Sequence, residues 1–471
     1  MWSGSIVNIV ESYISKEVLF RFRGIDFSFA LSHGLFSSND IDTGTRQLLR
    51  VLSKIWDADP AAGRPLPRSV LDSGCGVGVI GICAARALLE FYSAAGSAVC
   101  PPPFFVRAQD RDDLARLFTE YNAERNFPTT EVPVTARTEP LLAGPEGCRW
   151  DLILTNIPAK AGTPVLEDFV RRSVELLSPG GRVIMVAVNT LVNFFRSLIE
   201  KSGTVLLEET GKEHTVFVYQ RREADTMLNG PVIAGEHFIQ NNPFYLRSGA
   251  GGMGSGDYEM EGICYHIDAV HGAAEFDRPG AAAVAAAKLV SRLGLEKIYL
   301  PQAQSDRCAA ILIHESGQGH FPAWLLQRGL KTDRLVLSGR NILALEAARH
   351  NTKAALAATA LAAKAADMSI QVIPGTELPV EHPAIPGAYS FIVAFPETVP
   401  GAERLTALWE DIARLLLPNG TALIALSSSE AEKFDRKKPA SGPNGPHFTR
   451  LGDIKRQGFR ALAYRRNQDP V

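Results

Sequence analysis

Ser69-Val70-Leu71-Asp72-Ser73-Gly74-Cys75-Gly76-Val77-Gly78, followed by the Ala/Leu/Ile-rich stretch Val79 to Phe91, decides how this chain is read. A short apolar run leads into three alternate glycines and then into residues with helical spacing, which predicts a strand, a tight loop and a helix. Glycine takes up positive φ and lets a ligand approach the backbone closely. The carboxyl end of a parallel strand is the general place for a nucleotide in an α/β sheet. The dinucleotide spacing G-x-G-x-x-G is met only by Gly76, Gly78 and Gly81, which leaves a nicotinamide cofactor as the alternative. Asp72, just ahead of the glycines, favours another ligand: a carboxylate suits a cation, such as a sulfonium that also carries an amino group, and repels a pyrophosphate.

Working outward, strands and helices alternate. Phe104–Ala108 is an apolar run ending in Gln109-Asp110, and a helical stretch follows from Asp113 to Glu124. Asp151–Thr155 ends in Asn156-Ile157-Pro158, Leu166–Leu177 is helical, and Pro179-Gly180-Gly181 leads into Arg182–Val188 and later the strand Glu213–Gln220. Such alternation predicts an α/β fold, Rossmann-like, with a mostly parallel twisted sheet and helices on both faces. Asp110, at the end of the second strand, can accept both hydroxyls of a ribose. The Asn156 amide and the backbone carbonyl of Pro158 can accept hydrogen bonds from an amine and turn its lone pair toward a methyl donor, a gain made by positioning.

The second half runs through the same order. Ala309–Ile313, Arg334–Leu337, Ser390–Ala394 and Ala422–Leu426 read as strands, and Pro418-Asn419-Gly420 mirrors Pro179-Gly180-Gly181. Two tandem domains are therefore expected, 1–225 and 226–471, the second a degenerate copy with a structural or substrate-recognition role. In the alignment by motif, Asp72 falls on Glu315, Cys75 on Gln318, Val77 on His320 and Gly78 on Phe321, whose ring would obstruct a cofactor. Asp110 falls on Gly339, Asn156 on Ala394 and Pro158 on Pro396. His314-Glu315 with His320 lacks H-E-x-x-H spacing and predicts no metal site. Asn241-Asn242-Pro243-Phe244-Tyr245 has no strand or glycine loop ahead of it, and reads as a loop near a substrate mouth. The tract Gly249–Gly256 reads as a connector, Ala354–Ala366 as scaffold helix, and Arg436-Lys437-Lys438 as a solvated basic loop.

Composition bounds the rest. The 471 residues are 46% hydrophobic and 21% charged, with 49 basic and 51 acidic side chains, a net charge of −2. That balance excludes a disordered or fibrous chain and a strongly electrostatic nucleic-acid binder. Six cysteines without a C-x-x-C pair predict neither a disulfide scaffold nor a zinc site. No run reaches the length of a membrane span and the start lacks a signal-peptide pattern, so a cytoplasmic protein without a membrane partner is expected.

The first half resembles the class I S-adenosylmethionine-dependent methyltransferases, and within them the ribosomal RNA small-subunit guanine-N2 methyltransferase group and its archaeal relatives. Asp72 to Gly78 is similar to motif I, D-x-G-C-G-x-G, and Asn156-Ile157-Pro158-Ala159 to the N-P-P-x motif. Gly34-Leu35-Phe36-Ser37 with Asp42-Thr43-Gly44-Thr45 and Leu48-Leu49 is similar to the group's segment G-V-F-S … D-x-G-T … L-L. The resemblance covers about residues 18 to 221. It implies S-adenosylmethionine as cofactor, held by Phe36, Gly44, Thr45, Asp72, Gly74, Gly76, Gly78, Asp110 and Asn156. It also implies catalysis by Asn156 and Pro158 on the exocyclic N2 of guanine, and RNA, ribosomal in origin, as partner. Ala159 departs from the family's aromatic, whose stacking on a base is worth about 1–3 kcal/mol. Ala159-Lys160-Ala161-Gly162 is similar to the archaeal R-A-G variant; Lys160 reads as a phosphate contact or as a solvated side chain. The group's bacterial members carry their degenerate copy first; here the order is reversed. The alternatives are methylation of a small molecule or protein side chain, and a cofactor-binding scaffold without turnover.

Overall fold

The computed structural model describes residues 4–94 (main chain alone for 4–8), 104–127, 132–144, 148–222, 237–248, 254–295, 310–330, 332–358, 368–380, 389–439 and 447–467. The chain divides into two compact units, Met1–Phe244 with Val399–Ala402, and Tyr245–Thr398 with Glu403–Val471. The boundary expected at 225/226 lies outside the described residues, as does most of the tract Gly249–Gly256.

The first unit opens with helix α1 (Gly4–Tyr13) and the hairpin β1 (Lys16–Phe22) and β2 (Ile25–Leu31), then α2 (Thr43–Ala58). Next come β3 (Ser69–Ser73), α3 (Val79–Ala94), β4 (Phe105–Asp110), α4 (Asp113–Asn126) and β5 (Val134–Thr138). It closes with β6 (Trp150–Asn156), α5 (Thr163–Glu175), β7 (Leu177–Val188), α6 (Val192–Ser202), β8 (Thr204–Thr210) and β9 (His214–Gln220). The sheet has 7 strands in the order β5-β4-β3-β6-β7-β9-β8, parallel except for the two pairings of β9. Val70, Leu152, Leu154, Ile184 and Val186 form one buried face, on which the apolar stripes of α2 and α3 pack.

The second unit repeats this plan. After α7 (Phe238–Asn241), which belongs to the end of the first unit, come the hairpin β10 (Gly256–Met260) and β11 (Ile263–Ile267) and α8 (Ala281–Leu293). There follow β12 (Ala310–His314), α9 (His320–Gln327), β13 (Arg334–Gly339), α10 (Ile342–Ala357), β14 (Ser369–Pro374) and β15 (Tyr389–Ala394). The unit ends with α11 (Leu405–Leu415), β16 (Leu416–Ser427), α12 (Ser428–Arg436), β17 (Phe448–Arg456) and β18 (Phe459–Arg466). Its strand order, β14-β13-β12-β15-β16-β18-β17, is that of the first sheet element for element. The hairpins agree as well: Arg23-Gly24 and Glu261-Gly262 both have positive φ (49° and 81°; 48° and 74°), the two-residue turn that matches strand twist.

One buried asparagine ties each hairpin to its glycine loop. Asn122 on α4 accepts the Ala30 N–H (2.8 Å) and donates to the carbonyls of Ala30 (3.1 Å) and Val77 (2.9 Å). Asn351 on α10 accepts the Asp268 N–H (2.8 Å) and donates to the carbonyls of Asp268 (3.2 Å) and Gln318 (2.8 Å).

These bonds and the strand registers correct the motif alignment. Ser69 pairs with Phe105 and Ala310 with Arg334, so β3 and β12 superpose from those residues on. Gly74 then matches Glu315, not Asp72; both residues have positive φ and donate their N–H to the carbonyl at the same place on the next strand, Gln109 or Ser338. Gly76 matches Gly317, Val77 matches Gln318 and Gly78 matches Gly319, so the third glycine is kept. Phe321 lies in α9, 1% exposed and packed on Phe395, rather than over the loop. Asp72 itself matches Ile313. Asp110 does match Gly339, but Asn156 matches Phe395 and Pro158 matches Glu397, because Val70 pairs with Leu152 as Ile311 does with Phe391. Helix α10 ends at Ala357, and residues 359–366 of the expected Ala-rich helix lie outside the described residues. Lys437 of the basic loop is held by Glu403 and Thr406. Among the described residues, no helix is long and apolar enough to cross a membrane.

Candidate active site

The carboxyl ends of β3, β4 and β6 meet at the glycine loop of the first unit. Gly74, Gly76 and Gly78 all have positive φ, and a Cβ added to Gly74 or Gly76 would point into open space. At Gly78 it would come within 2.9 Å of Ile82 and Thr119, so this glycine lets the loop turn down onto α3 and α4. Asp72 is wholly buried beneath the loop. Its Oδ2 accepts the Gly81 N–H at 2.8 Å, whereas its Oδ1 has no partner. Burial pushes its carboxyl up to about 7, opposed by that hydrogen bond. Asp110 is fixed by two backbone donors, Gly76 N–H (3.2 Å) and Asp112 N–H (3.1 Å); burial, and then the neighbouring Asp112 charge, raise its carboxyl as well. The Cys75 thiol is pushed up by burial and by both carboxylates.

An unpartnered carboxylate oxygen and a second carboxylate beside an open glycine loop make an arrangement that favours a cation. These residues fit S-adenosylmethionine, with Asp72 below the loop and Asp110 at its rim.

Asn156 ends β6, one strand from Asp72, whose neighbour across the pair is Leu154. Its carboxamide nitrogen donates to Asp42 Oδ2 at 2.9 Å and to Thr45 Oγ1 at 3.2 Å. Among the described residues its oxygen takes no hydrogen bond. Pro158 is exposed and its carbonyl accepts the Ala161 N–H at 3.0 Å, which leaves one lone pair. Ala159 and Lys160 are exposed.

The upstream segment arrives through α2. Asp42 caps this helix, taking the Gly44 and Thr45 N–H groups on Oδ2 at 2.9 and 3.2 Å. Thr45 is buried, and Gly44 lies against His214, where an added Cβ would come within 3.1 Å of the ring. Phe36 is 72% exposed. Asp42 belongs to the upstream motif but carries no expected role there; its place three residues before Thr45 marks an N-cap, but its contact with Asn156 spans 114 residues of sequence. Asn242, of the Asn-Pro-Phe-Tyr loop, is 2% exposed, accepts from Arg172 and donates to the Phe238 carbonyl, which makes it a local strut. Among the described residues, no three His, Cys, Asp or Glu side chains stand together as a metal site.

Sheet order and glycine loop together define a class I methyltransferase fold. More narrowly, residues 26–218 match the model of the methyltransferase small domain family. The chain is 29% identical over 195 residues to Ribosomal RNA small subunit methyltransferase C of Chromohalobacter salexigens, a match that covers 40% of this chain and 50% of that protein. It is 27% identical over 168 residues to the uncharacterized protein YbxB of Bacillus subtilis, covering 36% of this chain and 71% of that one. The matched segment thus spans about half the length of the first relative. Among solved structures, the Thermus thermophilus 16S rRNA N2 G1207 methyltransferase RsmC, in complex with AdoMet and guanosine, has the same two-unit fold. The TM-score is 0.53 at 15% identity, over 98% of this chain and 100% of that one.

Proposed function

We propose that this chain methylates the exocyclic N2 of a guanine in small-subunit ribosomal RNA, using S-adenosylmethionine held by the first unit. The observation that carries the reading is the Asn156 oxygen, unengaged at the end of β6 and next to a loop whose buried Asp72 has one oxygen, Oδ1, without a partner. The relatives described as acting on ribosomal RNA supply the substrate class.

When bound, S-adenosylmethionine supplies an electrophilic methyl group. Asp72 and Asp110 favour its positive charge and its ribose, and Gly74 and Gly76 give it room. Asn156 Oδ1 and the spare lone pair of Pro158 accept the N–H groups of the acceptor amine and direct its nitrogen. Such positioning, without a metal or covalent intermediate, is the main lever open to these side chains. Lys160, exposed beside them, would meet a backbone phosphate in this reading, and the cell compartment is the cytoplasm.

A second reading follows from Ala159, which offers no ring to stack on a base: the acceptor is then a small molecule or a protein side chain. Incubation with methyl-labelled S-adenosylmethionine and separate fractions of small ribosomal subunits, protein and metabolites decides. Label recovered as N2-methylguanosine after RNA digestion is the expected result. Label in another fraction selects the second reading, and cofactor binding without transfer to any fraction selects a scaffold.

A further inference from the structure

We propose that Asp42 and Thr45 are positioning residues that lock the Asn156 carboxamide with its oxygen turned toward the acceptor. The proposal rests on the reading of Asn156 as the group that receives the acceptor amine. An amide side chain is useful there in only one of its two flips. Turned the other way it would present N–H donors to the N–H groups of an amine. Here both hydrogens of Nδ2 have acceptors, Asp42 Oδ2 at 2.9 Å and Thr45 Oγ1 at 3.2 Å. A flip would set Oδ1 against the Asp42 carboxylate and strand those hydrogens, an unfavourable exchange for a part-buried group. The negative carboxylate also polarises the amide, which strengthens its oxygen as an acceptor.

The lock depends on how α2 begins. One oxygen of Asp42 gathers the N–H groups of Gly44 and Thr45 as well as the Asn156 amide. A Cβ at position 44 would come within 2.8 Å of that oxygen, so glycine keeps the space open. The second unit provides an independent observation. Its helix α8 is capped at Gly280, so Asp42 corresponds to Gly280 and Thr45 to Ala283, while Asn156 corresponds to Phe395. All three members of the lock are absent together, although the frame around them is kept.

The test uses the full-length chain, labelled with 15N-asparagine and saturated with S-adenosylhomocysteine. The Asn156 side-chain signal is assigned by its loss in Asn156→Ala. Asp42→Ser with Thr45→Val keeps a helix cap and the volume at position 45 but withdraws the carboxylate and the hydroxyl that the Asn156 amide bonds. Hydrogen exchange of the Asn156 amide should accelerate at least tenfold in this double variant, and Asp42→Asn, which keeps an oxygen in place, should stay within threefold of the parent. In methyl transfer to small ribosomal subunits, kcat should fall at least thirtyfold in the double variant while KM for S-adenosylmethionine moves less than threefold. Unchanged exchange, or a kcat within threefold of the parent, overturns the proposal. If the parent labels no RNA, the proposed function fails, and the exchange rates alone then decide whether the lock exists.

Discussion

Gly74 to Gly78 and Glu315 to Gly319 trace the same backbone path, with matching positive φ at the first, third and fifth residues. Above the first loop there is open space. Above the second there are two carboxylates. Glu275 reaches over Gly317, where an added Cβ would come within 2.5 Å of its oxygen, and burial pushes its carboxyl up to about 7. The Glu315 side chain lies against Gly339, the counterpart of Asp110, and accepts the Arg340 N–H at 2.7 Å. His320 and Gln318 bind the carbonyls of Glu275 and Ala274 and fasten the plugging segment down. A glycine-rich turn is therefore a frame, and what decides binding is whether side chains from neighbouring segments leave the space above it empty.

The sharpest way to break this comparison is at the acceptor site. Asn156→Ala should lower methyl transfer by about 100-fold, the cost of a misplaced reactant, with the cofactor dissociation constant within threefold by calorimetry. Phe395→Ala, at the matching place, should leave transfer unchanged. Next comes the cofactor itself. Calorimetry should find one S-adenosylhomocysteine per chain, and Asp110→Ala should weaken it by about 1.5–3 kcal/mol, the worth of charged hydrogen bonds. Two binding events would end the distinction between the loops.

Asn122→Ala and Asn351→Ala probe what the halves share. Each strands buried backbone groups at about 1–3 kcal/mol, so both should lower stability against urea. Only Asn122→Ala should also weaken the cofactor, because Val77 belongs to the working loop.

The smallest effect concerns pH. The Glu275 carboxyl is raised in the fold, so its contribution to stability is fully present below pH 4 and lost as pH rises through about 7. Glu275→Gln should therefore match the parent at pH 4 and exceed it at pH 8, by on the order of 1 kcal/mol, in thermal melts. A gap that closes toward pH 8 would contradict the burial of this carboxyl.

Much of this was legible in the sequence, because strands, helices and glycine loops are written in local patterns. The alternation of strands and helices in both halves and the places of Asp72, Asp110 and Asn156 at strand ends followed from such patterns. The register between the copies did not. Glu315 looks like the acid of a motif I, and matching acid to acid shifts the loop by two residues; the strand registers and the hydrogen bond from its N–H to the Ser338 carbonyl assign it to the place of Gly74. The plug by Glu275 and the grip of Asp42 on Asn156 were equally hidden, since both join segments far apart in the chain.

The plug has a thermodynamic consequence. A fold that binds a ligand gains stability as RT ln(1 + [L]/Kd), so the first unit's resistance to unfolding tracks the ambient concentration of its cofactor. The second unit fills the equivalent space with its own Glu275 side chain and draws no such support. Under the proposed function, the first unit alone becomes easier to unfold when cofactor runs low, and the second keeps its stability at any cofactor concentration.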